Sequence, residues 1–402
     1  VHAKNLLKII LGSVLLLGSL ESFAAPVCES LFMREVRPKD RLSVALKAQT
    51  PSLPEMIWQM KIEKKLIYKG DHEYSPGNEF LASNEFDWLA TPFDYKQSDV
   101  LIAFGTNSAW DIAVNKNVKK LYMMDWSPYP LLGQAYLVSP LLRIARTPEE
   151  FIVMLSGRVP SPANGATNLR RAFEAASEFG GQAEWKRTEE TQKFLEFLAS
   201  REDISAFELR FLASYFTSLA DGASSSSKGV GPFQNLRSSY MARVLSFYDQ
   251  RYSPDLTEPM HNGVLKLFKL DDVSVMSSQQ RFNKLKEIYS GDNVKYAMTS
   301  ITDGKAYQAV LALEPVSQRF AFSITNIFDC GFYNGLTMKD LGQYLKNITT
   351  AFGGSDGKPV VVFRTMETSP PHKFQRYDLK SVADVDGLRL EETGPASAKQ
   401  AR

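Results

Sequence analysis

Short apolar runs alternate along this chain with stretches in which apolar residues recur at helical spacing. From Asp99 the sequence reads Val100-Leu101-Ile102-Ala103-Phe104, then the turn Gly105-Thr106-Asn107-Ser108, then a helical pattern from Ala109 to Val114. A run without polar alternation is apolar on both faces, so it predicts a strand inside a covered sheet, followed by a turn and a helix. A second run, Lys119 to Met124, closes on Asp125. Helical stretches follow from Pro130 to Ala145 and from Thr147 to Leu155, the latter opened by Thr147-Pro148-Glu149-Glu150. Strand, helix, strand, helix in that order implies parallel strands, because parallel neighbours need a crossover between them.

The same reading extends in both directions. An aromatic-rich lead-in, 27 to 97, predicts a helix from Pro54 to Tyr68 and another around Asn84 to Leu89. Between 163 and 252 the pattern is helical, broken by a Gly- and Ser-rich loop, Asp221 to Pro232. Phe207, Phe211, Leu212, Tyr215, Phe216 and Leu219 repeat there at helical spacing, which marks a core stripe rather than an aromatic binding platform. The α/β rhythm then resumes: helix Ser277 to Ser290, strand Val294 to Ile301, strand Arg319 to Thr325 ending at Asn326, helix Thr337 to Phe352, strand Pro359 to Arg364. A last pair, Phe374 to Leu379 and Gly387 to Glu391, reads as an antiparallel edge.

The expected organisation is an α/β, Rossmann-like, mostly parallel sheet. Its first half spans 98–160 and its second half 261–392. A helical insertion occupies 161–260, a lead-in 25–97 packs on the body, and a disordered tail covers 393–402.

The N-terminus adds a location. Lys4 and Lys8 precede an apolar run from Ile9 to Leu20, followed by Glu21-Ser22-Phe23-Ala24-Ala25-Pro26, with Ser22 and Ala24 at the small-residue positions of a signal peptidase site. This predicts a signal peptide over 1–24, cleaved after Ala24, and a periplasmic or secreted product. The run is shorter than the roughly 20 residues a permanent helical span needs. Lipidation at Cys28 is the weaker membrane reading, since Val27 is a poor residue before a modified cysteine. Export makes the two cysteines, Cys28 and Cys330, a candidate disulfide tying the N-terminus to the body; two free thiols are the alternative.

Composition narrows the chemistry. A net charge of +2 supplies no basic excess for phosphate neutralisation and argues against a nucleic-acid partner, while 44% hydrophobic residues suffice for a large core. His2, His72, His261 and His372 are scattered, and no His-Glu-x-x-His or paired Cys-x-x-Cys pattern is present, so no metal is expected. Gly-x-Ser-x-Gly and Gly-x-x-x-x-Gly-Lys are missing too, which argues against that type of serine hydrolase and against a P-loop enzyme.

Parallel sheets bind ligands at the carboxyl ends of their strands, near the point where strand order reverses. The candidates are therefore Gly105 to Ser108, Asp125 to Ser127, Thr302-Asp303-Gly304 and Asn326 to Asp329. Asp125 carries the most weight: it lies 20 residues after Gly105, the spacing at which an acidic side chain meets the ribose hydroxyls of a nucleotide held by the first turn. Gly105 would let the backbone approach such a ligand, and Thr106, Asn107 and Asn326 would line it. Equally open is a structural reading, with Gly105 making a turn and Asp125 capping the next element. Gly105 is the only glycine of its loop, so the dinucleotide pattern Gly-x-Gly-x-x-Gly is not present.

Ser83-Asn84-Glu85, Ala103-Phe104-Gly105-Thr106-Asn107, Asp111-Ile112-Ala113, the strand ending at Asp125, Arg146-Thr147-Pro148-Glu149-Glu150-Phe151 and Gly157-Arg158 together resemble a poorly characterised bacterial family with a methyltransferase-like Rossmann domain. Ser277-Ser278-Gln279-Gln280-Arg281-Phe282 and Ser323-Ile324-Thr325-Asn326 resemble its second half. The resemblance covers about 80–158 and 270–380. It implies a class I methyltransferase-like fold with a pocket at Gly105 and Asp125, and S-adenosylmethionine as a cofactor to consider. Because that cofactor is a cytosolic metabolite, an exported chain points to a nucleoside-like small ligand more generally, with catalysis left open. The other expectation is a non-catalytic envelope protein that uses the fold as a scaffold.

Overall fold

The computed structural model describes residues 38–71, 98–104, 108–169, 171–172, 175–176, 182–220, 275–276, 278–314, 318–324, 337–353, 360–366 and 373–388. The expected signal peptide, Cys28, Cys330, the Asn84 to Leu89 helix, the Asp221 to Pro232 loop, Gly105 to Asn107, Asn326 to Asp329 and the tail all lie outside the described residues.

Among the described residues, seven strands form one sheet: β1 (Leu66–Lys69), β2 (Val100–Phe104), β3 (Lys120–Asp125), β4 (Val294–Met298), β5 (Phe320–Ile324), β6 (Val360–Met366) and β7 (Lys373–Leu379). Their order is β1-β4-β3-β2-β5-β6-β7, parallel throughout except for the β6–β7 pair. From β2 at the centre the chain winds outward through β3 and β4, then returns to lay β5 and β6 on the other side. The order therefore reverses between β2 and β5, as in Rossmann-like sheets.

Every residue of β2 and of β5 is buried, which is why both read as uninterrupted apolar runs. Leu101, Ala103, Leu121 and Met123 face one core, while Val100, Ile102, Phe104, Tyr122 and Met124 face the other. The second core is closed by the helices Gly304–Leu311, Met338–Phe352 and Val382–Asp386. Local chemistry sets several of these helix starts. Thr147 accepts from the Glu150 N–H at 3.2 Å ahead of Pro148, and Thr337 and Asp340 cap one another reciprocally.

The first core is larger and takes the remaining helices. Its longest segment runs unbroken from Pro128 to Ile144, with a π-helical turn at Gln134–Val138. Pro140 has no N–H for an α-helical bond and its ring crowds the carbonyl four residues earlier; the wider turn relieves both. Against its π-turn packs the helix Ala206–Ala220, which in turn packs with Pro38–Lys47 and Glu184–Ala199. The predicted core stripe is buried: Phe207, Phe211, Leu212, Tyr215 and Phe216 are inaccessible or nearly so, and Leu219 packs at the margin. Tyr136 of the π-turn meets Phe207 edge-on at 4.9 Å and Phe211 at 5.6 Å. Truncating Phe211 to alanine would cost about 3–5 kcal/mol.

Two further contacts lock this layer. Gly157 has φ +83°, and a Cβ there would lie 2.9 Å from a ring carbon of Phe216, so only glycine fits. Arg41 donates to the carbonyls of Ala199, Arg201 and Ile204, neutralising the end of Glu184–Ala199 from a separate helix.

Three predicted elements are corrected. The helix expected from Pro54 to Tyr68 ends at Ile62; Lys64 turns left-handed at φ 54°, and Leu66–Lys69 becomes β1, an edge strand beside β4. Phe374–Leu379 falls within β7, whose described antiparallel partner is β6, and Gly387 ends a helix; 389–391 lie outside the described residues. After β7, Ser381 and Asp384 form a capping box that starts this helix at Val382. A helix not anticipated, Gly304–Leu311, follows β4, which stops at Met298 rather than Ile301.

Candidate ligand site at the carboxyl edge

β3 delivers Asp125 to the carboxyl edge of the sheet. Met124 is paired with Phe104, the last residue of β2, so Asp125 stands one residue beyond the point where the β2–β3 ladder ends. Leu121, Met123 and Asp125 alternate onto the same face, the one covered by the larger core.

The carboxylate is largely enclosed by protein. The residue keeps partial access to water, yet protein closes round the side chain enough that burial pushes its pKa up to about 7. The backbone N–H groups of Ser127 and Trp126 pull the other way and are outweighed. Oδ1 accepts from the Ser127 N–H at 2.9 Å, and the Asp125 carbonyl accepts from the Thr299 N–H at 2.9 Å. A carboxylate offers about four lone-pair positions. Two backbone donors leave capacity for two more, the number that a pair of vicinal hydroxyls supplies.

Its neighbours differ in character. Trp126 is 51% exposed. Ser127 occupies the N-cap of Pro128–Gly133 without making the side-chain cap bond, and its Oγ is buried with no hydrogen-bond partner among the described residues. A hydroxyl of this kind is a polar group whose cost a ligand or water can repay.

Of the other predicted positions, Thr302, Asp303 and Gly304 are described, and both carboxylate oxygens of Asp303 are engaged. Its Oδ1 accepts from the Lys305 N–H at 3.0 Å, capping Gly304–Leu311; its Oδ2 accepts from Tyr68 Oη at 2.8 Å and Thr299 Oγ1 at 2.9 Å. Burial raises the Asp303 pKa, but these hydrogen bonds together hold it below the ordinary aspartate value. The same bond pushes the Tyr68 hydroxyl up to about 12. Gly105, Thr106, Asn107 and Asn326 lie outside the described residues, so the structure places Asp125 and the ends of β2 and β5 around the switch point without describing those four. Ser323, next to Ala103 in register, is the described polar residue nearest the end of β5.

Tyr68 and Thr299 were not legible as site neighbours. Tyr68 falls in a segment whose pattern reads as helix, and its partner Asp303 is 235 residues away. A second polar group, deep in the larger core, was also unsignalled: Gln134 Oε1 accepts from Trp110 Nε1 at 3.1 Å and from Tyr289 Oη at 2.6 Å. Its aromatic members pass for ordinary core residues in sequence.

Among the described residues, no three His, Cys, Asp or Glu side chains come together to hold a metal ion. Among them too, no helix is long and apolar enough to cross a membrane. A comparison with family models finds no match for the chain, and a comparison with curated proteins finds none either.

Proposed function

We propose that this is an exported protein of methyltransferase-like Rossmann type that binds a nucleoside-like small molecule, with Asp125 accepting from its ribose hydroxyls. S-adenosylmethionine belongs to that ligand class, and catalysis is not part of the proposal. One observation supports it above the others: Asp125 ends the strand next to the central one, at the edge where parallel sheets bind ligands, and its enclosed carboxylate has acceptor capacity to spare. The strands β4-β3-β2-β5-β6 reproduce the order 3-2-1-4-5 of a Rossmann sheet, with β1 added outside.

The chemistry is consistent with binding hydroxyls. Burial destabilises the charged carboxylate, and two O–H donors would restore the solvation that burial removes. Binding then favours the ionised form and tightens as pH rises through about 7.

Titration calorimetry of the full chain with adenosine and with S-adenosylmethionine tests this. Saturable heat is expected with at least one of them, weakened about tenfold or more by Asp125→Ala, the effect of losing a hydrogen bond to a charged group. No heat with either, or heat indifferent to the substitution, overturns the proposal.

A further inference from the structure

The geometry points to Asp303 as a positioning residue for the Asp125 site, holding the end of β3 through Thr299 and coupling it to the edge strand β1. A helix cap requires a single acceptor oxygen. One oxygen of Asp303, Oδ1, takes the Lys305 N–H, and that bond alone serves the helix Gly304–Leu311. The second oxygen does nothing for the helix. It accepts two hydroxyls from outside it, Tyr68 Oη on β1 and Thr299 Oγ1 just past β4.

Thr299 is the link to the site. Its side chain is tied to Asp303, while its backbone N–H donates to the Asp125 carbonyl at 2.9 Å, the bond that extends the β3–β4 ladder one step beyond Asp125↔Met298. Thr299 is 1% exposed, so fixing its hydroxyl fixes the peptide that holds Asp125. β1 in turn is registered on β4 by Tyr68↔Ala297 and by the Gly70 N–H to the Met298 carbonyl at 2.8 Å. Hydrogen bonds thus run without interruption from β1 through Tyr68, Asp303 and Thr299 to the backbone of Asp125.

Mechanically this is where a brace is needed. β3 is flanked by β2, which is itself buried in the middle of the sheet, and by β4, whose outer neighbour is only the short edge strand β1. Without Asp303, the end of β4 would be held only by its backbone ladders to β3 and to the short β1, and β3 would carry Asp125 on a looser support. A displacement of about 1 Å in a binding group is enough to change affinity severely.

The test uses the full chain carrying 13C-labelled aspartate, with the Asp125 carboxyl signal assigned by its disappearance in Asp125→Asn. Thr299→Val removes the hydroxyl at nearly constant shape, Tyr68→Phe removes the other donor, and Thr299→Ser restores the first. Thr299→Val and Tyr68→Phe are expected to move the Asp125 titration midpoint and to weaken adenosine binding by about threefold to thirtyfold, while Thr299→Ser keeps both at wild-type values. An unmoved midpoint in both Thr299→Val and Tyr68→Phe, or an equal shift in Thr299→Ser, overturns the inference. The binding arm rests on the nucleoside reading, but the titration arm does not: a shifted midpoint in a protein that fails to bind adenosine sinks that reading and leaves the positioning role standing.

Discussion

The ends of β3 and β4 invite comparison because each places an aspartate at the same edge of the same sheet, and the two aspartates are driven in opposite directions. Asp303 receives donors from three elements and is held below its ordinary pKa; Asp125 receives backbone donors from its own turn and is pushed up to about 7. Both are penalised by burial. What separates them is whether enough hydrogen-bond donors arrive to outweigh that penalty. A carboxylate that the fold has satisfied is part of the structure, whereas one left short of donors, at a sheet edge where ligands bind, is available to a ligand.

Breaking the satisfied end should have the largest effect. Asp303→Ala removes a helix cap and strands two hydroxyl donors, and urea denaturation should show a loss of about 3 kcal/mol. Asp303→Asn should recover only part of it, because an amide has one acceptor oxygen where the carboxylate uses two.

The pH dependence of stability sharpens the contrast, since the two groups have opposite signs. The folded pKa of Asp125 is raised, so its contribution is fully present below about pH 4, near the unfolded value of 3.8, and is lost as pH rises through about 7. Allowing for the partial access of this residue to water, the loss is about 2 kcal/mol. Asp125→Asn should therefore stabilise the protein at pH 8 and leave it unchanged at pH 4, measured as thermal midpoints across that range. The folded pKa of Asp303 is lowered, so its contribution is present above 3.8 and disappears as pH falls below it; Asp303→Ala should be least damaging in acid. If the two variants show the same pH slope, the contrast drawn here is wrong.

The smallest effect is expected at Ser127. Its Oγ makes no cap bond and has no partner among the described residues, so Ser127→Ala should alter stability by less than about 0.5 kcal/mol, although an N-cap serine ordinarily contributes about 1. A larger loss in chemical denaturation would mean that the hydroxyl is already satisfied in solution.

Much of the sheet was readable because burial on both faces leaves an unmistakable trace. β2, β3 and β5 match predicted runs, β6 extends two residues beyond its own, and the caps at Thr147, Ser278 and Thr337 begin helices within two residues of where the pattern placed them. The stripe from Phe207 to Leu219 was readable as core for the same reason, since a helix buries residues that recur at its own period. β1 was not readable. Leu66-Ile67-Tyr68 follows the amphipathic helix Leu53–Ile62 closely, and the left-handed residue that separates them is a lysine, with no glycine or proline to mark the break. The pairing of β7 with β6 was not readable either, because Lys373–Leu379 is compatible with any antiparallel neighbour.

At the site, the spacing from Gly105 to Asp125 placed one carboxylate at the sheet edge, and the parallel rhythm of strand and helix explained why that edge is where a ligand would bind. Both follow from local periodicity, which a sequence records directly. The sequence could not reveal that Asp303, equally acidic and equally placed, is occupied. Its donors, Tyr68 and Thr299, reach it through the β1–β4 pairing, and hydrogen-bond satisfaction is a property of neighbours in space that only the folded sheet assembles.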